Sequence, residues 1–517
     1  MKKTLKKSLS VLLAIVLLSV STLPVAFAEK EEIPIIYVCG MGSVLKDANG
    51  KTIEAADVDK DYIINATKNV VSKIPVDPNG NWDEYCDALY ACFAPIYDEI
   101  RLDKNGEASD GSHVARTWSK NSIKKKYSNY TAEDYYYAYD WRIDPFEVAK
   151  DLGKYIDAVR EVTGKSKVTI IGRCLGACIV TAYLVQEENV WEKVQNVIYY
   201  APSVGGIGLL GALFSGRIEL DDESIDRYIN AYSEKTSLIE DSSLQALVVS
   251  VISFARYLKL LGFGTDVIMG IYSKVYENIV PRLALTSYGS FPSFWSMIGT
   301  EYYEEARDFV FKGQEEEYSK MIEKTDHFYY DVTAKLPEII KELNGRGINF
   351  AYIAKYNSDI VPVFKGSNVQ GDGIVELTTL SGGATSAKMG SCLPEEYIKA
   401  AKENGTEKYI SADKLVDAST CLFPDTTWFI KNIDHVIMPD CINPLLVNIS
   451  KGNGSFTVWS SEEFPQYMTY SESDGSVKPV VRENDNLEHT PKDFISSIFR
   501  LFTNFFKFLK SLFDKRK

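Results

Sequence analysis

Two glycines bracket a cysteine at Gly172-Arg173-Cys174-Leu175-Gly176, directly after the β-branched run Lys167-Val-Thr-Ile-Ile171. Beyond Gly176 the apolar positions fall at helical spacing (Ala177, Ile179, Val180, Ala182, Tyr183, Leu184). A strand that turns abruptly into a helix, with glycines two before and two after a nucleophilic residue, holds that residue at the apex of a strained turn. A side chain at either flank would collide with the neighbouring chain. The helix N-terminus beneath the turn offers unpaired N–H groups and the positive end of a dipole, which favour a thiolate and an oxyanion. The implied chemistry is attack by sulfur on a carbonyl carbon. The same five residues also fit a buried cysteine acting as a small hydrophobe, so the decision rests on whether partners follow in the right order.

An elbow of this kind belongs to α/β-hydrolases, whose nucleophile, acid and base follow one another along the chain. Of the four histidines, His113 precedes the elbow, His327 comes before any acid candidate, and His489 sits in a polar tail. His435 follows the apolar Thr427-Trp-Phe-Ile430 and the short turn Lys431-Asn-Ile-Asp434, as a base on a loop after a late strand should. Two carboxylates compete for the acid. Asp372 lies between two glycines in Gly371-Asp-Gly-Ile-Val375, a turn suited to fixing a carboxylate against imidazole Nδ1–H, and is preferred. Asp359, shortly after the strand-like Ile348–Ile353, is the alternative. An oxyanion hole needs the N–H of Leu175 and one from a loop after an early strand. Ile33–Val38 reads as that strand and Cys39-Gly-Met-Gly-Ser43 as its loop, with Met41 the second donor.

With these residues in place the chain resembles the lecithin:cholesterol acyltransferase family. The pieces that carry the likeness are Pro34-Ile-Ile-Tyr-Val-Cys-Gly-Met-Gly-Ser-Val-Leu45, Tyr139-Asp-Trp-Arg142, Gly172–Gly176, Ala201-Pro-Ser-Val-Gly-Gly206, Phe214-Ser-Gly216, Pro292-Ser293 and Gly371–Val375. They run in order from about residue 33 to 437. The resemblance implies acyl transfer or hydrolysis on lipid esters, with Cys174 as nucleophile, Asp372 as acid, His435 as base, and Met41 and Leu175 as oxyanion donors. Two positions depart from the family, which normally has serine at 174 and usually histidine at 173. Cysteine in this elbow is similar to that of dienelactone hydrolases and polyhydroxyalkanoate synthases. Arg173 either adds positive potential that would lower the thiol pKa or points its side chain to solvent.

Residues 1–28 have the layout of a bacterial export signal: Lys2, Lys3, Lys6 and Lys7, an apolar core from Val11 to Val20, then Ala26-Phe-Ala28. A secreted or extracellular protein is expected, associated with a membrane surface if its far end binds one. The net charge of −14 argues against nucleic acid as a partner. Eight cysteines in 517 residues do not make a disulfide framework; Cys86 with Cys92 is the one pairing worth testing. No spacing supports a zinc site, Asp77–Asp83 has its glycine misplaced for a calcium loop and reads as a turn, and no cofactor is called for.

Strand patterns alternate with helical ones from 29 to 206 (Ile33–Val38, Tyr135–Tyr139, Val168–Ile171, Val197–Tyr200, with a helix Phe146–Thr163) and resume from 336 to 450. This predicts an α/β fold, of the α/β-hydrolase type, with a mostly parallel sheet covered on both faces. Residues 207–335 are helical in pattern and placed to form a cap or lid, and Leu244–Ala255 within them reads equally well as an acyl-tunnel wall or a buried core helix. Residues 451–490 read as a polar, β-rich tail. The last stretch, 491–517, spaces Phe494, Ile498, Phe502, Phe505, Leu509 and Phe513 helically among lysines and arginines. A basic, Phe-rich amphipathic helix suits the surface of an anionic membrane, its rival reading being docking against the domain or a partner chain.

The leading expectation is an exported acyltransferase or lipase acting on a lipid or other ester. A polymerising acyltransferase like the polyhydroxyalkanoate synthases fits less well with export. A hydrolase-like module without catalysis, serving lipid binding or adhesion, would not need Cys174, Asp372 and His435 to meet.

Overall fold

Seven short apolar runs, spread over more than four hundred residues, line up in one direction. In the computed structural model, which describes residues 32–481 apart from 54–61, 126–130, 132–133, 218–264 and a few positions between 63 and 79 and at 363 and 365, they form the centre of an eight-stranded sheet. The strands are β1 (Ile35–Val38), β2 (Tyr135–Tyr137), β3 (Val168–Cys174), β4 (Val194–Pro202), β5 (Asn349–Tyr356), β6 (Thr427–Lys431), β7 (Tyr467–Ser471) and β8 (Ser476–Pro479). Their order across the sheet is β8-β7-β6-β5-β4-β3-β1-β2. Every neighbouring pair is parallel except β7 with β8, which closes one edge as a hairpin. The fold class is therefore α/β. Continuous burial along Ile35, Ile36, Tyr37 and Val38 is what a strand covered on both faces requires.

The helices are α1 (Asp83–Phe93), α2 (Pro145–Thr163), α3 (Leu175–Gln186), α4 (Gly208–Ser215) and α5 (Thr265–Leu285), followed by further short ones. Helix α2 starts where the sequence says it should: the Asp144 side chain accepts the Phe146 N–H, Pro145 fills the first position, and Gly164 ends it in the left-handed conformation. Its inner face carries Val148, Leu152, Ile156 and Val159. Helix α3 is buried along nearly its whole length, which explains why its sequence is apolar on every side.

The chain between β4 and β5, which are hydrogen-bonded neighbours, contains only helices among its described residues. Part of it is core rather than cover: Phe291, Trp295, Tyr303 and Phe311 are buried in the same cluster as the sheet. Leu244–Ala255 lies outside the described residues, as do residues 1–28, expected to form an export signal, and 491–517, expected to form an amphipathic helix. No helix among the described residues is long and apolar enough to cross a membrane.

The β-rich stretch 451–490 joins the main sheet: Tyr467–Ser471 pairs in parallel with Thr427–Lys431 and extends it. Its half-buried position, one strand in from the sheet's edge, accounts for the polar, weakly patterned sequence. Cys86 and Cys92 are not joined, and all eight cysteines are free.

Candidate functional site

Strand β3 ends and helix α3 begins at Cys174, whose φ of 52° and ψ of −126° put a non-glycine residue in a conformation that costs about 1–3 kcal/mol. The flanking glycines are dictated by contact. A Cβ on Gly172 would lie 2.9 Å from the Ala177 Cα, and one on Gly176 would lie 2.2 Å from the Val38 carbonyl oxygen and 2.7 Å from that of Cys39. The turn is therefore wedged between the first strand and its own helix. The Leu175 N–H points at the Cys174 sulfur from the first turn of α3.

Three segments converge on that sulfur. The loop after β1 brings Gly40 so near that a Cβ there would sit 3.1 Å from the Cys174 Cβ. Met41, next on the loop, has its side chain half exposed, at 50%. The loop is held from behind by the Tyr139-Asp-Trp-Arg segment: the Tyr139 hydroxyl donates to the Cys39 carbonyl (2.7 Å), the Tyr139 N–H to Ser43 Oγ (3.1 Å), and the Trp141 indole to the Ser43 carbonyl (3.1 Å). Arg142 is fully buried and bonds Asp140, the Ile100 carbonyl and Ser112 Oγ. The motif is a buttress for the loop.

The second segment is the turn after β5. Asp372 is 0% exposed. Its Oδ1 accepts the Ile374 and Val375 N–H groups at 3.2 and 2.9 Å, which leaves Oδ2 aimed at His435 Nδ1, 2.6 Å away. The third is the loop after β6, which carries His435 itself. The imidazole is 5% exposed, and Nε2 is buried with no well-aligned hydrogen bond. It faces Cys174 closely enough to couple with the thiol. Asp372, Cys174 and His435 thus meet at the ends of β3, β5 and β6. Asp359 lies in the same region of chain, but the carboxylate bonded to Nδ1 belongs to Asp372.

The electrostatics match this arrangement. Burial opposes the Cys174 thiolate, yet His435, the Leu175 N–H and Arg173 outweigh it and hold the thiol below its ordinary value. Burial likewise opposes the imidazolium, and the Asp372 carboxylate and the Cys174 sulfur overcome it, lifting His435 to about 10. Elsewhere burial pushes thiols up, Cys178 and Cys421 to about 12 and Cys86 to about 11. Cys174 stays partly accessible.

Arg173 points across the elbow rather than into solvent. It bonds the Tyr37 hydroxyl (3.3 Å) and the Val436 carbonyl on the histidine loop. Beside it, Lys355 of β5 is buried against the same loop. Neither role was legible in the motif pattern, although a lysine inside the apolar run of a covered strand is itself a signal, because a buried ammonium must find partners. His489 falls outside the described residues, and the two remaining histidines lie elsewhere. His113 is exposed near the Gly111 carbonyl, and His327 stacks on Phe146 with ring centres 4.0 Å apart. A cavity of about 480 Å³ lined by Trp118, Tyr137, Asp140 and Asp151 opens beside β2 and does not include Cys174. No cluster suited to a metal ion occurs among the described residues. No protein-family model matches the chain, and no curated protein matches its sequence.

Proposed function

We propose that this chain is an exported enzyme of α/β-hydrolase fold that transfers or hydrolyses the acyl group of lipid esters. The observation that carries the reading is the buried 2.6 Å contact of Asp372 with His435, on a ring whose far nitrogen faces an elbow thiol. Cys174 is the nucleophile, His435 the base, and Asp372 the group that fixes its tautomer. The Sγ attacks the ester carbonyl carbon, and the backbone N–H groups of Leu175 and Met41 receive the oxyanion. As the C–O bond breaks, the thiol proton passes through Nε2 to the leaving alcohol. Water or a second alcohol then attacks the thioester, returns its proton by the same nitrogen, and frees the sulfur. Met41 and Val436, 50% and 62% exposed on the two loops beside the thiol, give the opening the apolar rim an acyl chain would meet. The helices between β4 and β5 include the lid, and the 491–517 segment the membrane-surface anchor.

A hydrolase-like module without catalysis remains the rival, and the convergence of the three side chains weighs against it. Incubation of the full chain with mixed phospholipids and aryl esters, followed by intact-protein mass spectrometry, tests the reading. A hydroxylamine-labile acyl adduct on Cys174, absent from Cys174→Ala, is expected. Equal turnover by Cys174→Ala would overturn it.

A further inference from the structure

Four successive carbonyls of the histidine loop are each taken by a cation. The Lys355 ammonium donates to Asp434 (3.0 Å), His435 (2.8 Å) and Ile437 (2.6 Å), and the Arg173 guanidinium donates to Val436. Lys355 is 0% exposed. Its three N–H bonds use all the donors an ammonium has, which is the condition for burying one. Both cations lie over the Tyr200 ring, Lys355 Nζ at 5.0 Å and Arg173 Cζ at 6.0 Å from its centre. The Tyr200 hydroxyl adds a long bond to the Ile437 carbonyl at 3.5 Å. The loop hangs from strands β3, β4 and β5, not from the strand that precedes it.

We propose that Lys355 is the positioning residue of the candidate site: by gathering the carbonyls of 434, 435 and 437 around one ammonium, it sets the reach of the His435 ring toward Cys174. The proposal rests on the catalytic reading above. Nothing in it requires Lys355 to touch substrate. The groups facing Lys355 are Asp372 from the acid turn, Arg173 and Cys174 from the elbow, Asp434 and His435 from the loop, and the Tyr200 ring from β4. Without the ammonium, the buried His435 carbonyl and the part-buried Asp434 carbonyl lose this donor, that of Ile437 keeps only the long Tyr200 bond, and the loop must move to rehydrate them. A shift of about 1 Å in a catalytic group is enough to cost roughly 100-fold in rate.

The test compares the full chain with Lys355→Met and Lys355→Gln. Two quantities are read: the pH dependence of Cys174 alkylation by iodoacetamide, and kcat and KM on an aryl ester. Lys355→Met should lose about 100-fold in kcat with KM changed by less than about 3-fold, because the substrate contacts survive while the proton path lengthens. Its alkylation inflection should move upward, with Lys355→Gln between it and the unsubstituted protein. If Lys355→Met does not fold, the glutamine variant decides on the same terms. A folded variant with unchanged kcat and unchanged inflection overturns the proposal, as does a failure of both variants to fold, which would make Lys355 a stability residue. The catalytic reading would fail differently: the unsubstituted protein would then alkylate Cys174 with the profile of an ordinary thiol.

Discussion

Asp372 holds His435 twice, by its carboxylate Oδ2 at 2.6 Å from Nδ1 and by its own carbonyl, which accepts the His435 backbone N–H at 2.8 Å. Ring and backbone are fixed by one residue, so the imidazole is set in angle as well as in distance. With Nδ1 donating to Asp372, the Nε2 edge of the ring is turned toward the Cys174 sulfur.

Asp372→Asn should therefore be far more damaging than its size suggests. An amide can present its NH₂ to Nδ1 and select the wrong tautomer, an effect of about 10⁴ in kcat where it has been measured in triads. Asp359→Asn should stay within about 10-fold of the unsubstituted protein, since general acid–base groups account for larger losses than that. Single-turnover ester cleavage by the two variants checks both, and the reverse ranking would move the acid to Asp359.

The pH dependence of thiol alkylation follows from the two shifts. Cys174 is held below its ordinary value, so its thiolate persists above that lowered point and is lost as pH falls through it. His435 is raised to about 10, so the imidazolium persists below that and is lost as pH climbs through it. Rapid alkylation is expected from below the ordinary thiol pKa of about 8.5 upward, with a change near pH 10 as the ion pair becomes a lone thiolate. His435→Ala should send the acid limb upward, because burial is then opposed only by the Leu175 N–H and Arg173. An unmoved limb in that variant would separate His435 from the sulfur.

Gly176→Ala should unfold the protein in less denaturant by about 3 kcal/mol, the upper end for overpacking, since backbone lies on both sides of the new methyl. Gly345→Ala, where a Cβ meets nothing within 4 Å at the end of the helix Leu336–Gly345, should be neutral or stabilising by up to about 1 kcal/mol. Urea unfolding of the pair measures the difference, and similar midpoints would contradict the wedge between the elbow and β1.

Arg142→Met removes the buried partner of Asp140, leaving that carboxylate, the Ile100 carbonyl and Ser112 without their donor. Breaking a buried pair from one side costs about 3–5 kcal/mol. Thermal unfolding reads the loss. Hydrogen exchange at Gly40–Ser43 should quicken too, because Tyr139 and Trp141 brace that loop from the same segment; unchanged exchange would detach the motif from the loop.

Strands and helix of the elbow were readable because their constraints are local: β-branched residues, paired glycines and an apolar helix all act within about twenty residues. Histidine could be chosen by elimination because there are only four. The choice of Asp372 over Asp359 rested on its glycine neighbours, and the Ile374 and Val375 amides show what that turn does for the carboxylate. Less accessible were contacts that depend on sheet order. Nothing near Lys355 in sequence says that the carbonyls of residues 434–437 will stand over it, since that follows from β5 pairing with β6. For the same reason the place of Tyr467–Ser471 in the main sheet is hidden in its sequence: a half-exposed strand next to the sheet's edge carries almost no pattern until its neighbours are known.

The closeness of residue 176 to the carbonyls of 38 and 39 leaves no room for an atom between them. Strand tip and helix start are consequently already at their limit of approach. A ligand leaning inward on the start of the Cys39–Ser43 loop would meet backbone at Gly176 and could not press it further toward the helix that carries the sulfur.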